Sequence, residues 1–274
     1  MTNFLKQLAK VVLGRSAIVD IVPPIEFVGW KMATGTRPPW SKGGSNALAI
    51  AFSNCDIELA DHIASRKVIL TQFRQASVSI EVAQLRWRHY IVYWSATVAS
   101  RIAGGEGRNF VEMGVCDGLT AWYASRARQN LNCGGEFFLY DAWEGMRSDL
   151  LTASVGKAAG SYSYLDIENT KKNIALCGPD KFVYVKGYIP ESFSQSRNPE
   201  HISWMHIDLN SSIPTIASLD FFWDRLLPGG VVLLDDFAWP GYEDTRMEVE
   251  KWCESRSLDV LHFPTGQALI TKRA

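Results

Sequence analysis

The sequence has little of what marks several large classes of protein. It contains five cysteines in 274 residues and no Cys-x-x-Cys pair, so neither a disulfide scaffold nor a zinc site of ordinary spacing is expected. Free thiols indicate a reducing compartment, and we predict a cytoplasmic location. Basic and acidic residues nearly balance, at 28 and 29, which argues against a general electrostatic attraction to nucleic acid. The apolar runs are far shorter than the roughly 20 residues of a membrane-spanning helix, so no membrane insertion is expected.

Two regions differ in composition, within a chain whose apolar content of 47% suits a globular protein. Residues 1–80 are irregular, with proline- and glycine-rich turn signals around residues 22–24 and 35–45. Apolar residues at helical spacing near the start of the chain predict a helix packed on the body or on a partner subunit. We therefore predict an extension over residues 1–80 that covers a site or contacts a second copy in a homo-oligomer, and a main domain over residues 81–274.

From residue 81 onward, short apolar runs alternate with amphipathic segments. Such runs are typical of strands that are covered on both faces, as in parallel sheets. The alternation predicts an α/β fold with right-handed crossovers, and a terminal hairpin places one antiparallel strand near the sheet edge. The predicted strands are 110–115, 137–140, 182–186, 202–209, 231–234, 259–263 and 268–271. The predicted helices are 85–98, 119–131, 165–176, 215–227 and 243–255.

The first predicted strand of the main domain runs into a turn with the sequence FVEMGVCDG, residues 110–118. Gly114 and Gly118 stand where strand turns into helix, and glycine there lets the backbone approach a ligand closely. Ligands of open α/β sheets bind at that edge, so the turn is the predicted cofactor site. The pyrophosphate-binding pattern GxGxxG is absent, and Glu112 suits an amine-bearing ligand, with a capping or ion-pair role as its alternative. Asp141 ends the second strand, where an acid can accept hydrogen bonds from ribose hydroxyls.

Three aspartates follow the fourth and fifth strands of the predicted sheet. Asp208 ends one strand, and Asp235 and Asp236 end the next. Adjacent parallel strands lie ~4.8 Å apart, so the three carboxylates would converge on one rim. Such a cluster is repulsive unless it is protonated or holds a cation, and oxygen-only ligands favour Mg²⁺ or a similar divalent ion. Helix capping by these aspartates is the alternative interpretation.

Five stretches, in this order, resemble the class I S-adenosylmethionine-dependent methyltransferases and most closely the macrocin O-methyltransferase (TylF/MycF) group. They are FVEMGVCDG (110–118), YDAWEGM (140–146), VKGYIPESF (185–193), HIDLNSSIPT (206–215) and LLPGGVVLLDDF (226–237). Five blocks in the right order are more specific than any single one. The resemblance implies a Rossmann-like sheet of seven strands, mostly parallel with one antiparallel strand near the edge.

The resemblance also implies roles for individual residues. The implied cofactor contacts are Glu112, Gly114 and Gly118 for the methionine part, Asp141 for the ribose, and Gly187 with Tyr188 near the adenine. The implied metal ligands are Asp208, Asp235 and Asp236. Two positions depart from the family pattern: Asn210 replaces the usual acid, and Ser211 stands where the catechol-type enzymes place a lysine. The resemblance therefore implies neither the acceptor nor a lysine base.

The predicted activity is methyl transfer to a hydroxyl of a sugar-bearing natural product or a glycan. A sugar hydroxyl is a poor nucleophile at neutral pH, but two adjacent hydroxyls that chelate Mg²⁺ would have lowered pKa values and a fixed orientation. Asp208 is predicted both to ligate the ion and to accept the proton. His206 lies one pleat deeper on the same face, and we interpret it as a buried imidazole whose hydrogen bonds are satisfied.

Residues 147–164, here called the lid segment, contain glycines and small residues and are predicted to form a mobile lid over the site. Trp143, Trp239 and Tyr242 flank the acidic strand ends, where their rings would stack on a ligand or simply pack under loops. Two other functions stay open at this point. One is a nicotinamide-dependent oxidoreductase on a similar sheet, and the other is a non-catalytic nucleoside-binding scaffold.

Overall fold

The computed structural model describes residues 25–27, 30–32, 86–102, 108–175, 178–238, 241–263 and 265–273. The helix predicted near the start of the chain, and most of the predicted extension, lie outside these residues. Within the first 80 residues, strands β1 (Ile25–Phe27) and β2 (Trp30–Met32) pair in antiparallel fashion.

The main domain is built on a sheet whose described part has seven strands. They are β3 (Asn109–Met113), β4 (Phe137–Asp141), β5 (Phe182–Lys186), β6 (Ile202–Ile207), β7 (Leu226–Leu234), β8 (Leu261–His262) and β9 (Ala268–Thr271). Their order across the sheet is β5-β4-β3-β6-β7-β9-β8. Strands β3 to β7 pair in parallel, and β9 runs antiparallel between β7 and the edge strand β8. The predicted α/β sheet with one antiparallel strand near its edge is confirmed.

Helices cover both faces of this sheet. They are α1 (Arg86–Ser100), α2 (Leu119–Asn130), α3 (Ile167–Ala175), α4 (Glu191–Gln195), α5 (Ser212–Phe222) and α6 (Glu243–Glu254). Single 3₁₀ turns occupy Ser148–Leu150, Gly156–Ala158 and Trp223–Arg225. No helix in the described ranges is both long enough and apolar enough to cross a membrane.

Successive apolar residues of the central strands β3, β4 and β6 alternate between two apolar cores, which explains why these strands read as apolar runs in the sequence. Phe110 and Trp204 belong to the core that packs under α1, α2 and α3. Their chain neighbours Val111 and Met205 belong to the core under α4, α5 and α6. All four side chains are fully buried, so both faces of β3 and β6 are sealed and only the strand ends are open to a ligand.

Strand β7 is longer than its sequence predicts. Pro228, Gly229 and Gly230 indicate a turn, yet β7 already begins at Leu226. The pairing of β6 with β7 shifts register at this point, where two steps along β6 match five steps along β7. The additional residues form a bulge with Pro228 and Gly229 exposed, so a turn-like sequence is accommodated within a strand. Helix α4, which the sequence analysis missed, is too short to show a periodic pattern.

Candidate active site

A cavity opens at the carboxyl ends of the parallel strands, where ligands of open α/β sheets bind. Its walls come from four strand ends and from the lid segment. Among the lining residues are Gly114, Asp141, Gly187, Tyr188, Asp208 and Tyr162. The structure therefore brings together four of the six predicted cofactor residues and the predicted base. Glu112 and Gly118 lie close in sequence to this wall but are not among the residues that line the cavity.

A side chain at either glycine of the turn after β3 would collide with other protein atoms. Gly114 and Gly118 have φ angles of +82° and +89°, which side chains rarely allow. A Cβ atom on Gly114 would lie 1.8 Å from the carbonyl oxygen of Asp208, and one on Gly118 would lie 2.5 Å from Cγ1 of Ile174. These glycines are needed for the close contact of the turn with β6 and with α3, a reason that the sequence analysis did not foresee.

Asp141 holds the glycine turn in place from the end of β4. One carboxylate oxygen accepts hydrogen bonds from the backbone N–H groups of Val115 and Cys116, each at 2.8 Å. The other accepts one from the N–H of Trp143 at 2.7 Å. Burial raises the pKa of Asp141 above its ordinary value, and these hydrogen bonds oppose that shift. The oxygen bonded to Trp143 keeps further acceptor capacity, so Asp141 can hold the turn and still accept a hydrogen bond from a ligand.

Glu112 and His206 face each other in adjacent strands and are fully buried. His206 Nδ1 lies 3.5 Å from Glu112 Oε1, and its Nε2 lies 3.8 Å from Asp235 Oδ1. None of the four polar atoms of Glu112 and His206 has a hydrogen-bond partner in the described structure. Burial raises the pKa of Glu112 well above its ordinary value and lowers the pKa of His206 to about 3. His206 is buried as predicted, but the prediction that its hydrogen bonds are satisfied is wrong.

The three predicted metal ligands meet at one rim. Asp208 follows β6, and Asp235 and Asp236 follow β7. Because the last residues of these two strands are paired in register, the strand ends lie side by side. Each contributes a carboxylate oxygen to a group in which all oxygens lie within 4.8 Å of one another. Asp236 also accepts a hydrogen bond from the backbone N–H of Asn210 at 3.1 Å. Burial, and after it the charge of Asp236, raises the pKa of Asp208 well above its ordinary value.

An arginine from the first turn of α1 reaches this cluster. The guanidinium of Arg88 forms an ion pair with Asp235, and its charge also acts on Asp208 and Asp236. The other oxygen of Asp235 accepts a hydrogen bond from Gln267 Nε2 at 2.8 Å. Neither Arg88 nor Gln267 was predicted from the sequence, because they lie far from the three aspartates along the chain and belong to no motif.

The lid segment crosses the cavity and is attached on both sides. Arg147 pairs with Glu191 of α4 at 2.9 Å, and Ser154 donates a hydrogen bond to Asp244 of α6 at 2.7 Å. Arg147 also lies over the ring of Tyr188, 4.8 Å from its centroid. The segment therefore spans the site as predicted, while its mobility stays a prediction.

The three aromatic residues predicted to flank the acidic strand ends have different positions. Trp143 is buried, and its Nε1 donates a hydrogen bond to Thr170 at 2.9 Å, so its ring packs in the core. The hydroxyl of Tyr242 donates to Asn210 Oδ1 at 2.7 Å, which places it beside the aspartate cluster. Trp239 lies outside the described residues.

Residues 111–237 match the family described as a methyltransferase domain. This part of the chain is therefore similar to a methyltransferase domain. This match, together with the sheet order and the position of the cavity, confirms the resemblance to the class I S-adenosylmethionine-dependent methyltransferases. It also favours a methyltransferase over the nicotinamide-dependent oxidoreductase and over the non-catalytic scaffold.

Several solved structures are similar to this chain in fold. The O-methyltransferase NovP is 13% identical with a TM-score of 0.58, over 68% of this chain and 80% of its own. PaMTH1 from Podospora anserina, solved with SAH bound, is 14% identical with a TM-score of 0.54, over 86% and 98%. CalS11, a calicheamicin methyltransferase, is 17% identical with a TM-score of 0.51, over 85% and 93%. At these identities the likeness concerns the fold. No curated protein matches the chain by sequence.

Proposed function

We propose that this methyltransferase transfers the methyl group of S-adenosylmethionine to a hydroxyl of a sugar-bearing small molecule or glycan, with the help of a divalent cation such as Mg²⁺. The observation that supports this most is the convergence of three carboxylates beside the methyltransferase cavity, with Asp208 both in that cluster and in the cavity wall. Its donor set consists of oxygen atoms, which Mg²⁺ prefers. The ligands that we propose are Asp208, Asp235 and Asp236.

The cofactor assignments rest on the cavity and on the groups around it. The proposed contacts are Glu112, Gly114 and Gly118 for the methionine part, Asp141 for the ribose, and Gly187 with Tyr188 for the adenine. Glu112 supports the fit, because its two buried oxygens have no hydrogen-bond partner among the described residues and would be satisfied by the amino group or by a water that joins them. One similar fold, PaMTH1, was solved with SAH bound, which is the product of S-adenosylmethionine in such a reaction.

In the proposed reaction the protein contributes position and a proton acceptor. The glycine turn and Asp141 would hold the cofactor in the cavity whose wall also contains Asp208. Asp208 would accept the proton of the acceptor hydroxyl as the methyl group passes from sulfur to that oxygen, with the electron pair of the broken C–S bond left on sulfur. A bound divalent ion would lower the pKa of the acceptor hydroxyl. Holding the reacting oxygen in line with the methyl group supplies much of the acceleration.

The acceptor is proposed from its chemistry. Two adjacent hydroxyls can chelate one ion, and sugars offer such pairs. The resemblance to the macrocin O-methyltransferase group agrees with this class, and a neighbour named an O-methyltransferase agrees with a hydroxyl acceptor. Asn210 and Tyr242, joined by a hydrogen bond beside Asp236, are polar groups that a sugar could meet.

Calorimetric titration of the full chain tests the cofactor. We expect S-adenosylmethionine to bind and NAD⁺ not to bind, and a screen of acceptor sugars with Mg²⁺ to give products heavier by one methyl group. Binding of NAD⁺ alone would overturn the proposal. Turnover that is unaffected by chelation of divalent ions would overturn its metal part.

We further propose that residues 1–80 form an extension to the domain of residues 81–274 that covers the site or joins two copies of the chain. The family match supports this division, since it begins at residue 111. We also propose the reducing cytoplasm as its location, in keeping with the free thiols of Cys116, Cys133 and Cys253. Light scattering on the full chain tests the oligomer, and a mass of one chain would argue against it.

A further inference from the structure

The aspartate cluster already holds a positive charge of its own. Arg88 and Asp235 form an ion pair in which both side chains are mostly buried, at 14% and 12% exposure. With Gln267 on its other oxygen, Asp235 has a partner on each side. This differs from an acidic cluster at a surface, where each carboxylate is solvated separately.

We propose that Arg88 is an internal cation that competes with the divalent ion for this cluster. The ion enters when the guanidinium withdraws from Asp235, and the guanidinium returns when the ion leaves. This inference rests on the metal site of the proposed function and concerns the regulation of that site.

The competition follows from distance and charge. A Mg²⁺ ion bound by Asp235 would lie about 2.1 Å from a carboxylate oxygen. Arg88 already contacts the carboxylate of Asp235 directly. Two cations on one carboxylate would lie only a few ångströms apart, and their repulsion in a partly buried site is large. Either cation alone neutralises part of the charge on the three aspartates, so the two states can alternate.

The position of Arg88 permits such a withdrawal. It lies in the first turn of α1, on a long side chain with several rotatable bonds, and it belongs neither to the sheet nor to the cavity wall. In the absence of the ion, Arg88 stabilises aspartates that would otherwise repel one another. The cost of displacing it lowers the affinity for the ion, because the ion must offset the lost pair.

Binding of Mn²⁺ to the full chain, measured by calorimetry and by paramagnetic resonance, tests the inference without any turnover. Arg88→Met keeps most of the side-chain volume and removes the charge. We expect it to bind Mn²⁺ roughly tenfold more tightly than the unaltered protein, or tighter still. The matched control is Arg197→Met, which removes an arginine paired with Glu136 at 2.6 Å near the amino ends of the strands, and it should leave the affinity unchanged.

Thermal unfolding gives a second readout. In EDTA, Arg88→Met should melt at a lower temperature than the unaltered protein, and Mn²⁺ should raise its melting temperature by more. If Arg88→Met does not fold without the ion, recovery of folding by Mn²⁺ supports the inference. Arg88→Gln keeps a hydrogen-bond donor and should also bind Mn²⁺ more tightly than the unaltered protein. If Arg88→Met fails to fold both with and without the ion, the Mn²⁺ affinity of Arg88→Gln tests the inference.

Equal or weaker Mn²⁺ affinity in the Arg88 variants would overturn the competition and leave the metal site of the proposed function intact. If neither the unaltered protein nor the variants bind Mn²⁺, both the competition and the metal part of the proposed function are wrong. The two failures are therefore distinguishable.

Discussion

The two halves of the candidate site are held together in different ways. On the cofactor side, at the ends of β3, β4 and β5, polar groups are largely satisfied by the backbone, as Asp141 shows with its three N–H donors. On the cluster side, at the ends of β6 and β7, three negatively charged aspartates lie close together, and the positive charge of Arg88 lies beside them. Glu112 and His206 lie buried and without hydrogen bonds between the two halves.

This difference indicates a division of work within one site. A side whose hydrogen bonds are mostly complete is largely preorganised and changes little when a ligand arrives. A side whose charges are only partly balanced gains much from a cation and is sensitive to the loss of a single charge. Substitutions on one side should therefore leave the properties of the other side unchanged.

The largest effect should follow from a change confined to the cluster side. Asp236→Asn keeps the side-chain volume but removes one charge from the proposed metal site, and Asp236 is not among the residues that line the cavity. We expect kcat to fall about a thousandfold, with the affinity for S-adenosylmethionine nearly unchanged. Steady-state kinetics and calorimetry measure the two quantities.

The control for that change is Asp224→Asn, an exposed aspartate just before β7 and hence near the opposite end of the sheet. It should leave both turnover and cofactor binding as they are. Loss of cofactor affinity together with turnover in Asp236→Asn would contradict the separation of the two halves.

A second change should damage both halves at once. Gly114→Ala places a Cβ atom 1.8 Å from the carbonyl oxygen of Asp208, so the glycine turn and the end of β6 must move apart. We expect a loss of about 3 kcal/mol or more in the free energy of unfolding. Gly160→Ala is the matched control, since Gly160 has a similar φ of +79° and no described atom within 4 Å of the added Cβ.

For Gly160→Ala we expect a loss of only about 1 kcal/mol, from the strained φ alone. Denaturant unfolding measures both variants. Equal losses would show that the close approach of Gly114 to Asp208 contributes nothing beyond backbone strain.

The smallest effect is expected at Asp117, which, unlike most polar groups on the cofactor side, lacks hydrogen bonds to its side chain within the described part of the chain. Asp117 has two buried carboxylate oxygens without a hydrogen-bond partner among the described residues. Burial and Asp141 raise its pKa from the ordinary 3.8 to about 6. The folded protein thus binds the proton more tightly than the unfolded chain, so stability from this group is complete below about pH 4 and is lost as the pH rises through 6.

Asp117→Asn resembles the protonated form at every pH. We expect it to increase the free energy of unfolding at pH 7 by about 1–2 kcal/mol, allowing for partial solvent screening, and to flatten the decline between pH 4 and 6. Asp259→Asn, at an almost fully exposed position, is the control and should change neither. A parallel decline in the Asp117 variant and the unaltered protein would assign the pH dependence to other groups.

Much of the main domain could be predicted because its signals are local. Apolar runs and helical periodicity identified each described strand of the large sheet, and the residues at the strand ends identified Asp208, Asp235 and Asp236 as neighbours at one rim. The prediction for β7 started too late, since Pro228 and Gly229 usually indicate a turn and only the pairing with β6 showed a bulge. The reason assigned to Gly114 was also incomplete, because its close neighbour is Asp208 and not only a ligand.

The sequence by itself determined the alternation of strands and helices and the placement of acids at strand ends, because period and chain order are properties of a linear chain. Only the tertiary structure decided which charges meet. Arg88 pairs with Asp235 although the two are 147 residues apart in sequence (235 − 88). Gln267, which directly precedes the antiparallel strand β9, donates a hydrogen bond to the same aspartate. Electrostatic energy depends on distance in space and on burial, and neither can be read from the order of residues.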